Sequence, residues 1–338
     1  MSETTNNQLT FSIPSANSSE GTPPLKIHLN QAPSADTDQG LAETNTGFVM
    51  WPSAVMLSHY ISKNPSIVVG DDSTPDGDVM ELGAGCGLVG LTAATLLQNN
   101  DNSNNAANNN NDDDDDDDDN VDVNDGSNTN NGSSQDKVIF TDYNPAVLEN
   151  LQRNVELNDF DVDHQVFGLD WFDQVQEEEK SSDDHDDKDD VGDKEEEVEE
   201  VTSEHEGEEE EKNDDTWVDI DGMSHAQVRL ILGADLLVCT NDANLVASTI
   251  DSALMDGGSA FILGADEYAR FGVKNFPDAC RSLGLKVTVQ EDLLYDSNFF
   301  VAEEHMDELE LGGYNQRAST MGHDFTMFTV SKPIAASS

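Results

Sequence analysis

Basic side chains are scarce in this sequence. Fifteen Lys and Arg stand against 71 Asp and Glu in 338 residues, a formal net charge of −56. Phosphate contacts need clustered cations, so the balance opposes nucleic acid as a partner. Cysteine is also sparse. Cys86, Cys239 and Cys280 have no paired spacing for zinc or a disulfide framework, and read as reduced, mostly buried thiols of an intracellular protein. No His/Cys/Asp cluster calls for a metal. Long apolar runs are missing too: none approaches the roughly 20 residues needed to span a bilayer. The start of the chain is polar and acidic, without a basic-then-apolar leader.

What is abundant is acid, and it is concentrated. Asp112 to Asp119 form eight consecutive aspartates inside an Asn/Asp/Ser tract at about 99–135, and a second tract at about 177–215 is mostly Glu and Asp. Such segments repel themselves and have no apolar groups to offset the entropy of ordering, so both are expected to be disordered inserts. A Ser/Thr/Pro/Asn-rich head, residues 1–24, is expected to be disordered as well. What remains, about 230 residues, is the size of one α/β domain. Its expected bounds are 25–332, with a tail at 333–338.

The informative stretch is Val79-Met80-Glu81-Leu82-Gly83-Ala84-Gly85-Cys86-Gly87-Leu88-Val89-Gly90. An apolar run reads as a buried strand, alternate glycines as a tight turn, and the segment to about Leu97 as a helix. Strand, glycine turn and helix N-terminus together present backbone N–H groups to a ligand with no Cβ in the way. Dinucleotide folds use similar turns for a pyrophosphate. Glu81 argues for a different ligand, because a carboxylate there suits an ammonium and a sulfonium and opposes a phosphate.

Further candidate elements follow in order. Leu25 to Leu29 alternates as a short strand. Trp51-Pro52-Ser53 opens a helix through Ser62 with Pro at its first position, and Asn64 to Gly77 reads as a loop. Val138 to Asp142 is a second strand, and Asn144-Pro145 starts a helix through about Asn158. Asp142 stands where doubly wound folds grip a ribose. Val162 to Leu169 leads into Asp170-Trp171, and Val228 to Ala234 ends in Asp235. Ala243 to Leu254 and Tyr268 to Leu283 read as helices, and Ser259 to Leu263 as a strand. Leu285 to Val289 and Phe325 to Val330 make a final antiparallel pair, joined through the loop with Gly312 and Gly313. Glu81, Asp142, Trp171 and Asp235 all fall at strand ends, where an open parallel sheet forms its crevice.

The set Trp51-Pro52-Ser53, Glu81 to Gly90, Thr141-Asp142-Tyr143, Leu169-Asp170-Trp171 and Leu232-Gly233-Ala234-Asp235 resembles the class I, seven-strand, non-SET protein-lysine methyltransferases. These form the methyltransferase-like group that modifies chaperones and translation factors. The likeness spans about Gly47 to Lys332, apart from the acidic tracts. It implies an α/β, Rossmann-like, doubly wound and mostly parallel seven-stranded sheet with an antiparallel C-terminal edge hairpin. S-adenosyl-L-methionine is the cofactor it implies.

The resemblance also assigns roles. Trp51 closes over the cofactor, Gly83, Ala84 and Gly85 lie beneath its methionine part, and Glu81 supports that end electrostatically. Asp142 accepts the ribose hydroxyls, Trp171 packs near the adenine, and Ala234 lines the pocket. Asp235 opens an Asp-x-x-Tyr motif beside the substrate lysine and is the catalytic candidate, although Val238 replaces the usual aromatic. The implied partner is a protein substrate such as a chaperone, translation factor or ribosomal protein. A monomer located in the cytoplasm, or also the nucleus, is expected. Two alternatives stay open: a weak or inactive cofactor-binding relative, and a methyltransferase with a non-protein substrate.

Overall fold

Short buried runs rich in β-branched and aromatic residues form the strands, and helices with one apolar face pack on either side of them. The computed structural model of the chain describes residues 8–13, 24–30, 46–48, 50–71, 73–108, 136–171, 228–265, 271–294 and 324–335. Its strands are β1 (Gln8–Ile13), β2 (Leu25–Asn30), β3 (Asp78–Leu82), β4 (Val138–Asp142), β5 (His164–Gly168), β6 (Val228–Ala234), β7 (Leu254–Ala265), β8 (Lys286–Leu294) and β9 (Asp324–Ser331). The helices are α1 (Pro52–Lys63), α2 (Ser66–Val69), α3 (Leu88–Asn108), α4 (Pro145–Glu156), α5 (Thr240–Ala253) and α6 (Phe271–Ser282), with one 3-10 turn at Thr46–Phe48.

Seven strands form one sheet in the order β5-β4-β3-β6-β7-β9-β8. The pairs from β5 to β7 are parallel, while β9 runs antiparallel to both β7 and β8. This is the doubly wound sheet with an antiparallel C-terminal hairpin that the sequence implies. Every residue of β4 is buried, as a strand covered on both faces must be. One face packs on α1, α3, α4 and the hairpin β1–β2, through Leu57, Ile61, Leu91, Leu151, Phe11 and Ile27 among others. The other packs on α5 and α6 through Val246, Ile250, Val273 and Phe276. Phe276 meets Phe328 edge to face, with ring centroids 5.1 Å apart.

The order reverses between β3 and β6, so the switch point lies beside the glycine turn that follows β3. The open crevice of such a sheet forms there, at the carboxyl ends of the strands.

Three features depart from the sequence reading. The head expected to be disordered contains β1, which pairs along its whole length with β2 and buries Leu9, Phe11 and Ile13. Alternation Leu9/Phe11/Ile13 is a strand signal that the surrounding polar composition outweighed. Helix α3 continues past Leu97 to Asn108, ten residues into the tract assigned to the first insert. Within the loop expected at 64–77, Ser66–Val69 close one helical turn, and Val68 is buried. The aspartates 112–119, the tract 177–215, Tyr268, and the loop with Gly312 and Gly313 lie outside the described residues. Among the described residues no helix is long and apolar enough to cross a membrane.

Candidate functional site

Strand register sets the site. In β3 and β6, Leu82 lies opposite Gly233, so Gly83 and Ala234 leave the sheet side by side. In β4 and β5, Asp142 lies opposite Gly168, and the Leu169 N–H donates to the Asp142 carbonyl at 2.9 Å. That bond carries the chain toward Trp171. The Trp171 ring stands 3.5 Å from where a Cβ on Gly83 would be. The ends of β3, β4, β5 and β6 therefore come together beside the glycine turn.

The glycine turn is held from beneath. Gly83 and Gly85 have φ of +58° and +53°, a conformation that costs an L side chain about 1–3 kcal/mol. Space is short as well as conformation: a Cβ on Gly83 would come within 2.6 Å of Leu236 Cδ2, and one on Gly85 within 3.2 Å of the Gly47 carbonyl. The Ala84 N–H donates to the Thr141 carbonyl at 2.7 Å, and Thr141 Oγ1 donates to the Glu81 carbonyl at 2.8 Å. The turn is thereby tied to the top of β4 by main chain and hydroxyl together.

Two carboxylates complete the support. Asp142, 6 % exposed, accepts the Gly85 N–H at 3.1 Å and the Asn144 N–H at 3.0 Å. Burial raises its pKa, and those N–H donors oppose the rise. Glu81, 3 % exposed, accepts the Gly90 N–H at 2.9 Å. Burial first, with the nearby Asp142 charge adding to it, pushes the Glu81 carboxyl up to about 8, against the pull of the Gly90 and Val89 N–H groups. Among the described residues no basic side chain lowers either pKa.

The expected electrostatic role of Glu81 gains a second aspect here. Its carboxylate reaches to the first turn of α3, where unpaired N–H groups and the helix dipole favour an anion. The approach is so close that a Cβ on Gly90 would lie 2.6 Å from Glu81 Oε2 and 2.4 Å from Phe140 Cε1. Gly90, the fourth glycine of the stretch, is therefore a packing requirement.

Asp235 follows β6 with φ of +63°, in the left-handed region that Asp tolerates better than most residues. Its N–H donates to the Leu263 carbonyl at 2.9 Å, and the residue is half-buried, as is Ala234. Beyond it Leu236 turns in beneath Gly83 and Gly233, while Val238 is 48 % exposed. Asp242 accepts the Val238 and Cys239 N–H groups at 3.0 and 2.7 Å and so caps α5.

On the opposite wall, the Cys86 thiol donates to the Gly47 carbonyl at 3.5 Å. Burial pushes that thiol up to about 12, so it stays a donor and an inert one. Trp51, four residues beyond Gly47, is half-buried and starts α1, its carbonyl accepting the Ala54 N–H at 3.0 Å.

The geometry thus gathers Glu81, Gly83, Ala84, Gly85, Asp142, Trp171 and Ala234 at the glycine turn and the strand ends beside it, with Asp235 next along the chain from Ala234. Trp51 is placed through the segment that lies on the turn. Thr141, quoted only as part of a motif, and Leu236, which both brace the turn, were given no role from the sequence. A Thr inside a buried strand and a Leu after an acidic strand end carry no local signal of their contacts.

Residues 34–108 match the family model described as lysine methyltransferase. No curated protein sequence matches the chain. Among solved structures, the chain is similar to an O-methyltransferase family protein from Burkholderia thailandensis (9 % identity, 84 % of this chain and 59 % of that one, TM-score 0.39). It is also similar to precorrin-6y C5,15-methyltransferase from Geobacter metallireducens (8 % identity, 90 % and 95 %, TM-score 0.37). A third is a candidate methyltransferase complexed with SAH (10 % identity, 90 % and 53 %, TM-score 0.42), of which this chain spans about half the length.

Proposed function

We propose that this chain is a class I S-adenosylmethionine-dependent methyltransferase that transfers a methyl group to a lysine side chain of a protein. The observation that carries the reading is the segment 34–108, which matches the lysine methyltransferase family model and contains Glu81 and the whole glycine turn. The site fits the cofactor physically. Gly83 and Gly85, with φ of +58° and +53°, place no Cβ of their own over the turn, which is what close approach of a ligand to its backbone needs. Two buried carboxylates without a basic neighbour among the described residues favour a ligand that brings positive charge.

Gly83, Ala84 and Gly85 would hold the methionine part, Asp142 the ribose hydroxyls, and Trp171 the adenine. Asp142 already accepts two backbone N–H bonds, yet each carboxylate oxygen retains a second lone pair for a hydroxyl. When bound, the cofactor supplies an activated methyl on a sulfonium, and the protein's task is alignment, which can lower a barrier by as much as about 7–11 kcal/mol.

The lysine must arrive as a neutral amine, since an ammonium has no lone pair. Desolvation in a confined site lowers a lysine pKa. Asp235, its backbone held by the Leu263 carbonyl, would accept a hydrogen bond from that amine and orient it. Its role is positioning of substrate, and no strong base is required.

Incubation of the pure protein with methyl-labelled cofactor and a cell lysate tests the reading, with hydrolysis of labelled bands to identify the methylated amino acid. Methyl-lysine is the expected product. Label on another residue or on a small molecule refutes the lysine assignment. A specific observation favours a second reading: the exposed Val238 stands where an aromatic is expected, which suits a relative that binds cofactor and transfers nothing. Cofactor binding without incorporation in any fraction would select it.

A further inference from the structure

Helix α4 carries Asn150 and Asn154, and Asn158 follows two residues after its end, all at four-residue spacing. Four helical residues rise about 6.0 Å, and two strand residues rise about 6.6 Å. A row of amides on one helix face therefore matches alternate backbone groups on one edge of a strand. The match is used on β2, whose other edge pairs with β1.

The His28 N–H donates to Asn158 Oδ1 at 2.8 Å, and Asn158 Nδ2 donates to the His28 carbonyl at 2.7 Å. Two residues on, the Asn30 N–H donates to Asn154 Oδ1 at 2.7 Å. The Asn30 carbonyl accepts from Asn150 Nδ2 at 3.2 Å and Asn154 Nδ2 at 3.3 Å. The side chains stand in for a neighbouring strand.

Asn154 does one thing more. It is 0 % exposed, and its Nδ2 also donates to the Cys86 carbonyl at 3.0 Å. Its oxygen and both of its N–H groups are then used, which fixes the amide in one orientation. Cys86 follows Gly85 in the glycine turn, and its thiol reaches the Gly47 carbonyl. Gly47 in turn abuts α4, since a Cβ there would lie 2.6 Å from Val147.

We propose that Asn154 is a positioning residue for the cofactor turn, coupling the β1–β2 hairpin to Cys86 and so holding Gly85 in its binding geometry. The inference rests on the reading of that turn as the cofactor site. The hairpin and α4 both lie outside the segment matched by the family model. Asn158 serves as the internal control, because it docks the same strand without touching the turn.

The test compares Asn154→Ala, Asn154→Asp and Asn158→Ala in the full chain, reading thermal unfolding and S-adenosylmethionine affinity by calorimetry. Asn154→Asp keeps the acceptor for the Asn30 N–H and removes the donor to Cys86, so it serves where the alanine variant does not fold. Both Asn154 variants are expected to lose about tenfold in affinity, while Asn158→Ala melts earlier and binds within about twofold of the parent. Parent-like affinity in Asn154→Asp, or an equal loss in Asn158→Ala, overturns the proposal. A parent protein that binds no S-adenosylmethionine overturns the cofactor reading itself, and the positioning role falls with it.

Discussion

The two ends of the parallel sheet treat charge in opposite ways. At the amino ends, acids meet cations. Arg229, its side chain 2 % exposed, donates to Asp136 at 2.6 Å and to the Val68 carbonyl at 2.5 Å. Beside it, Lys137 faces Asp78 at 3.7 Å. At the carboxyl ends, Glu81 and Asp142 are buried on backbone N–H groups, without a basic side chain lowering either pKa among the described residues. An ion pair completes itself and asks nothing of a ligand. A pair of carboxyls held on amides, with Glu81 protonated up to about pH 8, can ionise toward a cationic ligand, and such a ligand gains from that. On the proposed reading, the difference separates a stabilising end from a binding end of the same sheet.

The comparison can be broken most decisively at Asp142. Asp142→Ala should cost about 3 kcal/mol of S-adenosylmethionine affinity, on the order of 150-fold, since it removes a charged acceptor and the anchor of Gly85. Titration calorimetry on a variant with parent-like circular dichroism checks it. Unchanged affinity would remove Asp142 from the site.

At the other end, Asp136→Ala should leave the Arg229 guanidinium buried and half-partnered. The expected loss of stability is about 2–3 kcal/mol, below the full cost of breaking a buried pair because Asp136 is partly exposed. Chemical denaturation reads it, and cofactor affinity should not move. A variant that loses affinity in proportion to stability would show that the two ends are not independent.

Glu81 sharpens the contrast through pH. Its folded-state pKa of about 8 lies above the ordinary 4.5, so between those values the folded chain holds a proton that the unfolded chain has released. Stability of the unliganded protein therefore falls as pH rises through that window. Affinity for the cationic cofactor runs the other way and rises toward pH 8, with proton release on binding. Glu81→Gln keeps an oxygen for the Gly90 N–H and should flatten both profiles, with about a tenfold loss of affinity at pH 8.5. Calorimetry in two buffers of different ionisation enthalpy measures the released proton, and none released in the parent would contradict the raised pKa.

The smallest effect is expected at Val238, on the rim beyond Asp235. Val238→Ala should change stability by no more than about 0.5 kcal/mol and leave cofactor affinity intact. Any loss confined to methyl transfer would place Val238 at the substrate.

Much of this architecture was legible in the residues. The continuous apolar runs of β4 and β6 announced parallel strands covered on both faces, and Asn144-Pro145 announced the start of α4, where Asn144 Oδ1 does accept the Ala146 N–H at 3.0 Å. Glu81, the alternate glycines and Asp142 announced that the turn after β3 and the end of β4 come together, as the bond from the Gly85 N–H to Asp142 shows. Less was legible where a signal was short or surrounded by the wrong composition. β1 sits in a polar head, and its six residues are stable only because β2 pairs with them and α1 packs on them, with α3 and α4 packed on β2. Asn150, Asn154 and Asn158 look like a solvated helix face by sequence. They are buried or half-buried because a strand from the far end of the chain lies on them.

The sequence by itself determined the alternation of strands and helices, the glycine turn and the acids at the strand ends. Each of these depends on neighbours within a few residues: the backbone freedom of glycine, the apolar periodicity, the preset φ of proline. Only the tertiary structure decided which backbone amides hold Glu81 and Asp142, that Leu236 and Trp171 close on Gly83, and that Asn154 ties a hairpin to the turn. Those contacts join residues 57, 68 and 124 positions apart, and such pairings follow from strand register and packing, which no local stretch of chain encodes.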